Sequence, residues 1–568
     1  MNTATLPAQD QPRGLFPRVA AIWAQLPEQT ASALLLSAEG TLHLGRQAAL
    51  LLERTGERTN PVLTSVLADI ALAAWETSLL DAGAASVVRQ IHEQYPFLGD
   101  QTAAFVNICT ALRPRNPQYA IEANACLNDG DIDSAKKLIA LYGAKEQGNL
   151  FWLRFASFLG IHLGELDWYE GWLKKLPPST AFAPVFLADY AFARGDWSRA
   201  AELYARGFDR TSLPTWLIRA GECRRRLGER EAASVCWRKA LGMRPWQSNL
   251  LFRLTDLERG GDLPGSPPAG RGEVLLYSWN HADDLYRTLE ALAASRLGEC
   301  GLTVLNNGSS DHTRDVIHSW QDRLGGRMRS IALPVNVGAP AARNWLLDLE
   351  ASKAADWVAF LDDDALVPPD WLEYFGAALK QCPEAPIVGC RVVDMAAPLY
   401  IQSVDLHFTS GDRPAAEKKE GGAGGEVSPG TYPMLGSTHL TIPDFGQYSY
   451  LRPAVSVTGC CHLLTRANLD DIGFFDLRFS PSQFDDLERD LRSCAKGQYP
   501  LYQGHLCVRH FKRSGSLAGL SPWQQANVKG NSVKLTDSYP REQMNEICDK
   551  ALRRLKSDFE NRLGVISK

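Results

Sequence analysis

Residues 357–364 read Trp357-Val358-Ala359-Phe360-Leu361-Asp362-Asp363-Asp364. Five apolar residues bounded by acids read as a buried strand with carboxylates at its carboxyl end. Carboxylates are costly to take out of water, so these need solvent, hydrogen bonds or a cation. In an α/β sheet that edge is where ligands bind. Asp-x-Asp there can hold a divalent metal, and the metal can hold a diphosphate. A solvated acidic turn is the plain alternative, and the flanking segments weigh against it.

Around this stretch, strands and helices alternate. Val274-Leu275-Leu276-Tyr277 reads as a strand and Asp283 to Ala294 as a helix. Thr303-Val304-Leu305 is the next strand, followed by a polar turn and a helix near His312 to Trp320. Such alternation predicts a mainly parallel sheet covered by helices. Upstream, Arg259 to Gly272 is so dense in Pro and Gly that no helix passes through it, and it reads as a domain linker.

The first 258 residues read as successive helices. Gly-Asp or Gly-Glu recurs at Gly130, Gly164, Gly195 and Gly228, with spacings of 34, 31 and 33 residues. That period belongs to helix-turn-helix solenoids. After Gly228, the residues Ala233, Trp237, Ala240 and Pro245 resemble the second helix and closing proline of a tetratricopeptide repeat. The expected organisation is a helical region at 1–118, repeats at 119–258, a linker at 259–272, an α/β domain at 273–530 and a C-terminal helix at 531–568. A glycine-rich stretch, 411–430, reads as a mobile loop.

Composition excludes several classes. At 45% hydrophobic and 22% charged, the 568 residues are those of a globular multidomain protein. A net charge of −5 gives no general attraction to nucleic acid. No apolar run reaches membrane-spanning length, and Met1 to Gly14 lacks the apolar core of a secretory signal, so a cytoplasmic location is expected. The twelve cysteines form no Cys-x-x-Cys pair and no zinc-type ligand set.

From Glu273 to about Arg513 the chain resembles family-2 glycosyltransferases of the GT-A fold. Five segments, in the family's order, carry the resemblance: Ser278-Trp279-Asn280; Asn306-Asn307-Gly308-Ser309-Ser310-Asp311; Asn336 to Asn344, which includes Arg343; the Asp triplet; and the block from Val457 to Arg492. That block contains Gly473-Phe474-Phe475-Asp476 and Asp485-Asp486-Leu487-Glu488. Val508-Arg509-His510 resembles the family's late Val-x-His. Departures are Trp279, Asn306 in place of Asp, Cys460 where Gly or Ala is usual, Asp485 for Glu and Glu488 for Asp.

The resemblance implies an α/β, Rossmann-like GT-A domain, which the repeat period places after an N-terminal all-α, tetratricopeptide-like solenoid. It implies inverting, metal-dependent transfer of a sugar from a nucleotide diphosphate sugar to an acceptor hydroxyl. Ser278, Asn280, Asn306, Asn307, Arg343, Asp362 and Asp363 would contact the donor. Asp364, with Asp362 and His510, would hold Mn²⁺ or Mg²⁺. Asp486, or Asp485 in second place, would act as catalytic base. Lys512 and Arg513 suit a basic lid over the phosphates. The acceptor could belong to a protein, a surface polysaccharide or a glycolipid. The repeats suggest a surface for a protein partner. The rival reading is a non-catalytic scaffold carrying a degenerate transferase domain, to which Asn306, Trp279 and Cys460 lend support. A nucleotidyltransferase is disfavoured because Ser278 to Asp284 holds no Gly-rich, basic loop.

Overall fold

The computed structural model describes residues 14–36, 45, 48, 52, 60–176, 182–409, 434–435, 443–511 and 521–565. The loop 411–430 and the Lys512–Arg513 pair lie outside the described residues.

A ten-stranded mixed sheet forms the second half. Its strands are β1 (Gly272–Ser278), β2 (Gly301–Asn307), β3 (Met328–Leu333), β4 (Trp357–Leu361) and β5 (Ala365–Leu366). They continue with β6 (Ile387–Asp394), β7 (Ile401–Ser403), β8 (Leu451–Pro453), β9 (Cys461–Thr465) and β10 (Leu501–His510). The order across the sheet is β8-β10-β6-β9-β4-β1-β2-β3, with β5 on β10 and β7 on β6. β3, β2, β1 and β4 run parallel, as crossover helices require. β9 is inserted antiparallel between β4 and β6.

The apolar run of β4 is buried throughout because both faces are covered. Trp357, Ala359 and Leu361 join the core under helices Ala282–Ala294 and Thr313–Leu324. Val358 and Phe360 point the other way, into a core with Ala342 and Leu346 of helix Ala339–Leu347. This split follows from the two-residue alternation of side chains along a strand.

The first half is helical, with hairpins in the region where the repeat was read. Gly130, Gly164, Gly195 and Gly228 each occupy a turn at φ between 75° and 81°. That backbone conformation disfavours a Cβ, so the turn selects glycine. Asp131 and Asp196 then cap the following helices with their side chains, while Glu165 and Glu229 do not. Ala233, Trp237 and Ala240 are buried, and the Trp237 indole donates to the Ile218 carbonyl at 2.9 Å.

The two halves share one core. Leu250, Leu254 and Leu257 of helix Ser248–Arg259 pack with Val358, Phe360, Tyr450 and Tyr502 of the sheet domain. The C-terminal helix, Arg541–Val565, adds Leu555, Phe559 and Leu563 to that core, and the N-terminal Phe16 and Val19 close it. The Pro/Gly stretch is docked: Gly265 N–H donates to the Glu373 carbonyl at 3.1 Å. A Cβ on Gly376 would fall 1.9 Å from the Ser266 carbonyl, so this stretch lies directly on helix Trp371–Gln381. Position 530, the expected end of the α/β domain, lies inside helix Pro522–Ser538, whose start is set by Pro522 and a Ser521–Gln524 capping box.

Asp256 joins three parts of the chain. Its carboxylate accepts from Arg562 Nη1 at 2.6 Å and from the Leu451 N–H at 2.7 Å, and lies 3.0 Å from His505 Nε2. Burial opposes its ionisation, but Arg562 and His505 outweigh this and hold the carboxyl below its ordinary range. Removing one partner of a buried pair strands the other charge, so Asp256→Ala is expected to lower unfolding free energy by about 3–5 kcal/mol. Guanidinium melts monitored by far-UV circular dichroism check this. A loss below about 1 kcal/mol would contradict the assigned role.

Candidate active site

Strand register assembles the site. β9 pairs antiparallel with β4 so that Cys461 faces Leu361. One step further, the Asp362 N–H donates to the Cys460 carbonyl at 2.8 Å. On the other side, β10 pairs with β5, placing His510 opposite Ala365. The Phe511 N–H donates to the Asp364 carbonyl at 3.0 Å. The acidic strand end is therefore gripped by the start of β9 and the end of β10.

His510 is buried, with Nε2 2.9 Å from Asp364 Oδ1 and 3.8 Å from Asp362 Oδ2. Its Nδ1 lies 2.8 Å from Gln402 Oε1. The Gln402 amide nitrogen donates to the His510 carbonyl at 3.2 Å, which turns the amide oxygen toward the ring. An amide oxygen only accepts, so Nδ1 carries the proton and Nε2 is the nitrogen facing the carboxylates. This is the arrangement that metal-ligating histidines adopt, with the far ring N–H held by a neighbour. Asp362, Cys460 and His510 each offer a donor atom, all within 4.8 Å of one another.

The protein packed around Asp362 pushes its carboxyl up to about 6, Arg343 and His510 opposing and Asp364 and Asp486 adding to the rise. Asp363 is pushed up to about 8, first by burial and then by Asp364. Crowded, partly dehydrated acids of this kind are relieved by a cation. The residues present thus fit a divalent ion: hard carboxylate oxygens, one imidazole and a converging geometry.

The acidic pair lies across from this end. Asp485 is buried and ion-paired to Arg343 Nη1 at 2.6 Å. The other guanidinium nitrogen sits 3.7 Å from Asp362 Oδ1 and 3.4 Å from the Gly459 carbonyl. Arg343 therefore spans the Asp triplet and the acidic helix Asp485–Ala495. Asp486 stays half-buried, its Oδ2 accepting the Gly459 N–H at 2.7 Å and its Oδ1 the Leu487 N–H at 2.8 Å. A Cβ on Gly459 would lie 2.8 Å from Asp486 Oδ2 and 2.9 Å from Arg343 Nη2, so only glycine lets both approach. Before this helix, Gln483 and Phe484 sit at φ of 81° and 68°. Strain of this kind costs on the order of 1–3 kcal/mol per residue and is retained where neighbours impose it.

The residues expected at the nucleotide brace loops. Asn280, at φ 56°, accepts from the Ser310 N–H at 2.7 Å, and its own N–H donates to Ser309 Oγ at 3.0 Å. Asn306 Oδ1 accepts from the Ser309 N–H at 2.9 Å. Asn307 accepts from the Val337 N–H at 3.0 Å and donates to Asn336 at 2.9 Å. Ser278 is buried at the end of β1. Beside them Trp279 is 47% exposed, a flat ring at the carboxyl edge of the sheet.

Gln402 and Cys460 escape a reading of motifs. Gln402 lies on β7, in a stretch without any signature, and only the fold carries it to His510. Cys460 is visible in the sequence as a departure, but its neighbours become apparent only through the β4–β9 register.

Residues 274–425 match the family model described as Glycosyl transferase family 2. The O-antigen biosynthesis protein RfbC of Myxococcus xanthus is 29% identical over 239 residues, which are 41% of this chain and 16% of that protein. The chain thus spans about one sixth of the length of that relative. Among solved structures, GalNAc-T7 with UDP, GalNAc and Mn²⁺ aligns with a TM-score of 0.35 at 13% identity, over 48% of this chain and 50% of that one. The mannosyltransferase PcManGT of Pyrobaculum calidifontis, with GDP-Man and Mn²⁺, gives 0.34 at 15% identity, over 56% and 84%. Both structural likenesses are remote. The family match thus places a region similar to glycosyl transferase family 2 at residues 274–425, within the mixed sheet whose strand ends carry the candidate site.

Proposed function

We propose that this chain transfers a sugar from a nucleotide diphosphate sugar to an acceptor hydroxyl with inversion, in a metal-dependent reaction. One observation carries the reading. The Gly459-Cys460 dipeptide is held by the Asp486 carboxylate at one residue and by the Asp362 N–H at the next. The acidic strand end and the acidic helix are thereby fixed on one short piece of backbone.

Asp364, Asp362 and His510 would hold the ion, Mn²⁺ or Mg²⁺. Bound there, a divalent cation supplies Lewis-acid stabilisation to the departing diphosphate. Asp486 is positioned as the base. Each of its oxygens accepts one backbone N–H, leaving further lone pairs for the acceptor hydroxyl proton. Asp485 is committed to Arg343, and its role is to hold that guanidinium against the site. Trp279 offers a face on which a base or sugar ring can stack. The Asn280, Asn306 and Asn307 loops shape the nucleotide end.

The Myxococcus relative is named for O-antigen biosynthesis, which favours a surface polysaccharide or glycolipid as acceptor. A protein acceptor is the second reading, suggested by the helical repeats. Part of the repeat surface is already occupied: Phe445 stacks on Arg219 at 3.7 Å, and Gly446 sits against Glu222. A protein partner would use the earlier hairpins, Pro117–Lys145. No helix among the described residues is long and apolar enough to cross a membrane.

Two variant sets test the assignment. Asp486→Asn should slow transfer by about 10²–10⁴-fold while leaving donor affinity intact. Asp364→Asn should instead weaken metal-dependent donor binding. Radiometric transfer assays with titration calorimetry separate the two, and NMR of the product anomer reads inversion. Full transfer activity in Asp486→Asn would remove it as base. No binding of any nucleotide sugar by the wild type would favour the scaffold reading.

Gly459→Ala is expected to disturb Asp486 and Arg343 together. Transfer should fall at least about tenfold, as for a misplacement near 1 Å, with little change in melting temperature. An unaltered rate would show that the Gly459 contact does not position the base.

A further inference from the structure

We propose that Cys460 is a metal ligand and gives this site a preference for thiophilic divalent ions. The inference rests on the metal-dependent reading above and deepens it. Glycine or alanine, usual at this position in the resemblance described above, offers no side-chain donor.

Three features of the geometry support it. The Cys460 sulfur, an Asp362 carboxylate oxygen and a His510 ring nitrogen lie within 4.8 Å of one another, close enough for one ion to reach all three. The backbone of Cys460 is fixed beside Asp362 by the 2.8 Å hydrogen bond to its carbonyl, so the side chain's origin does not drift. His510 has its Nδ1 turned to Gln402, which directs Nε2 toward the same point.

A mixed set of carboxylate, imidazole and thiolate differs in kind from an all-oxygen site. Hard oxygen ligands suit Mg²⁺ and Mn²⁺, whereas a thiolate favours Zn²⁺, Co²⁺ and Cd²⁺. Binding of such an ion displaces the thiol proton to solvent, and sulfur donates to the ion without any change of oxidation state. The consequence is a site that accepts Mn²⁺ through Asp362, Asp364 and His510, and is occupied more tightly by a softer ion through Cys460.

Cobalt absorbance tests this without an activity readout. Co²⁺ alone, titrated into the full chain under reducing conditions, should give a near-ultraviolet thiolate-to-cobalt charge-transfer band. The band should be absent in Cys460→Ala and in Cys460→Ser, and should be lost in His510→Ala. By competition, Cys460→Ala should bind Zn²⁺ at least about tenfold more weakly, while its Mn²⁺ affinity, read by electron paramagnetic resonance, stays within about threefold. The retained Mn²⁺ affinity also reports that the variant is folded.

Co²⁺ and Mn²⁺ binding with no Cys460-dependent band, or an equal band in both variants, would overturn the cysteine assignment and leave the metal site standing. Failure of the wild type to bind either ion, alone or with UDP or GDP present, would overturn both readings.

Discussion

The geometry of the candidate site depends on how one dipeptide is held. The Gly459 N–H donates to the Asp486 carboxylate, and the Cys460 carbonyl accepts from the Asp362 N–H. Both bonds are short-range and directional, and they tie an acidic helix to the end of an acidic strand. Arg343 reinforces this by lying between Asp485 and Asp362, neutralising part of a dense negative cluster. Without the guanidinium, Asp486 would repel both Asp362 and Asp485 with less to offset it, and the loop before Asp485 would lose the contact that offsets its strained backbone.

The scaffold explains why so few groups suffice. β4 is buried on both faces, so its end cannot shift without disturbing two cores. β9 and β10 meet that end from either side, fixing Cys460 and His510 by register. The helical half contributes rigidity as well as any binding surface. Its last helix, the sheet and the C-terminal helix share a core and the buried Asp256–Arg562 pair. Motion of the helical half against the sheet would therefore have to break buried polar contacts.

Much of this was legible in the residues. The period of Gly-Asp and Gly-Glu turns announces the hairpins because each turn needs a left-handed backbone. The apolar run before the Asp triplet announces a central strand, and the alternation that follows the Pro/Gly stretch announces the α/β class. What was not legible concerns pairing at long range. Asp485 and Asp486 are adjacent and chemically alike, and distant partners distinguish them: Arg343, 142 positions away, pairs with Asp485, while the Gly459 N–H donates to Asp486. Asn306 and Asn307 sit in a segment that resembles a donor-binding signature, yet their oxygens are engaged by loop N–H groups, a demand that no motif states. Gln402 carries no signature at all. The same limit applies to the Pro/Gly stretch, whose composition reads as a loose linker but which lies on a helix where that helix's own Gly376 leaves room for it.

The most direct test of the central claim is a crystal structure of the full chain with Mn²⁺ and a nucleoside diphosphate, with the ion located by anomalous scattering. The account predicts an anomalous peak about 2.0–2.3 Å from an Asp364 or Asp362 oxygen and from His510 Nε2, with Asp486 bordering the same cleft as the diphosphate. A peak bound elsewhere, or a diphosphate lying away from Asp364 and Asp486, would contradict it.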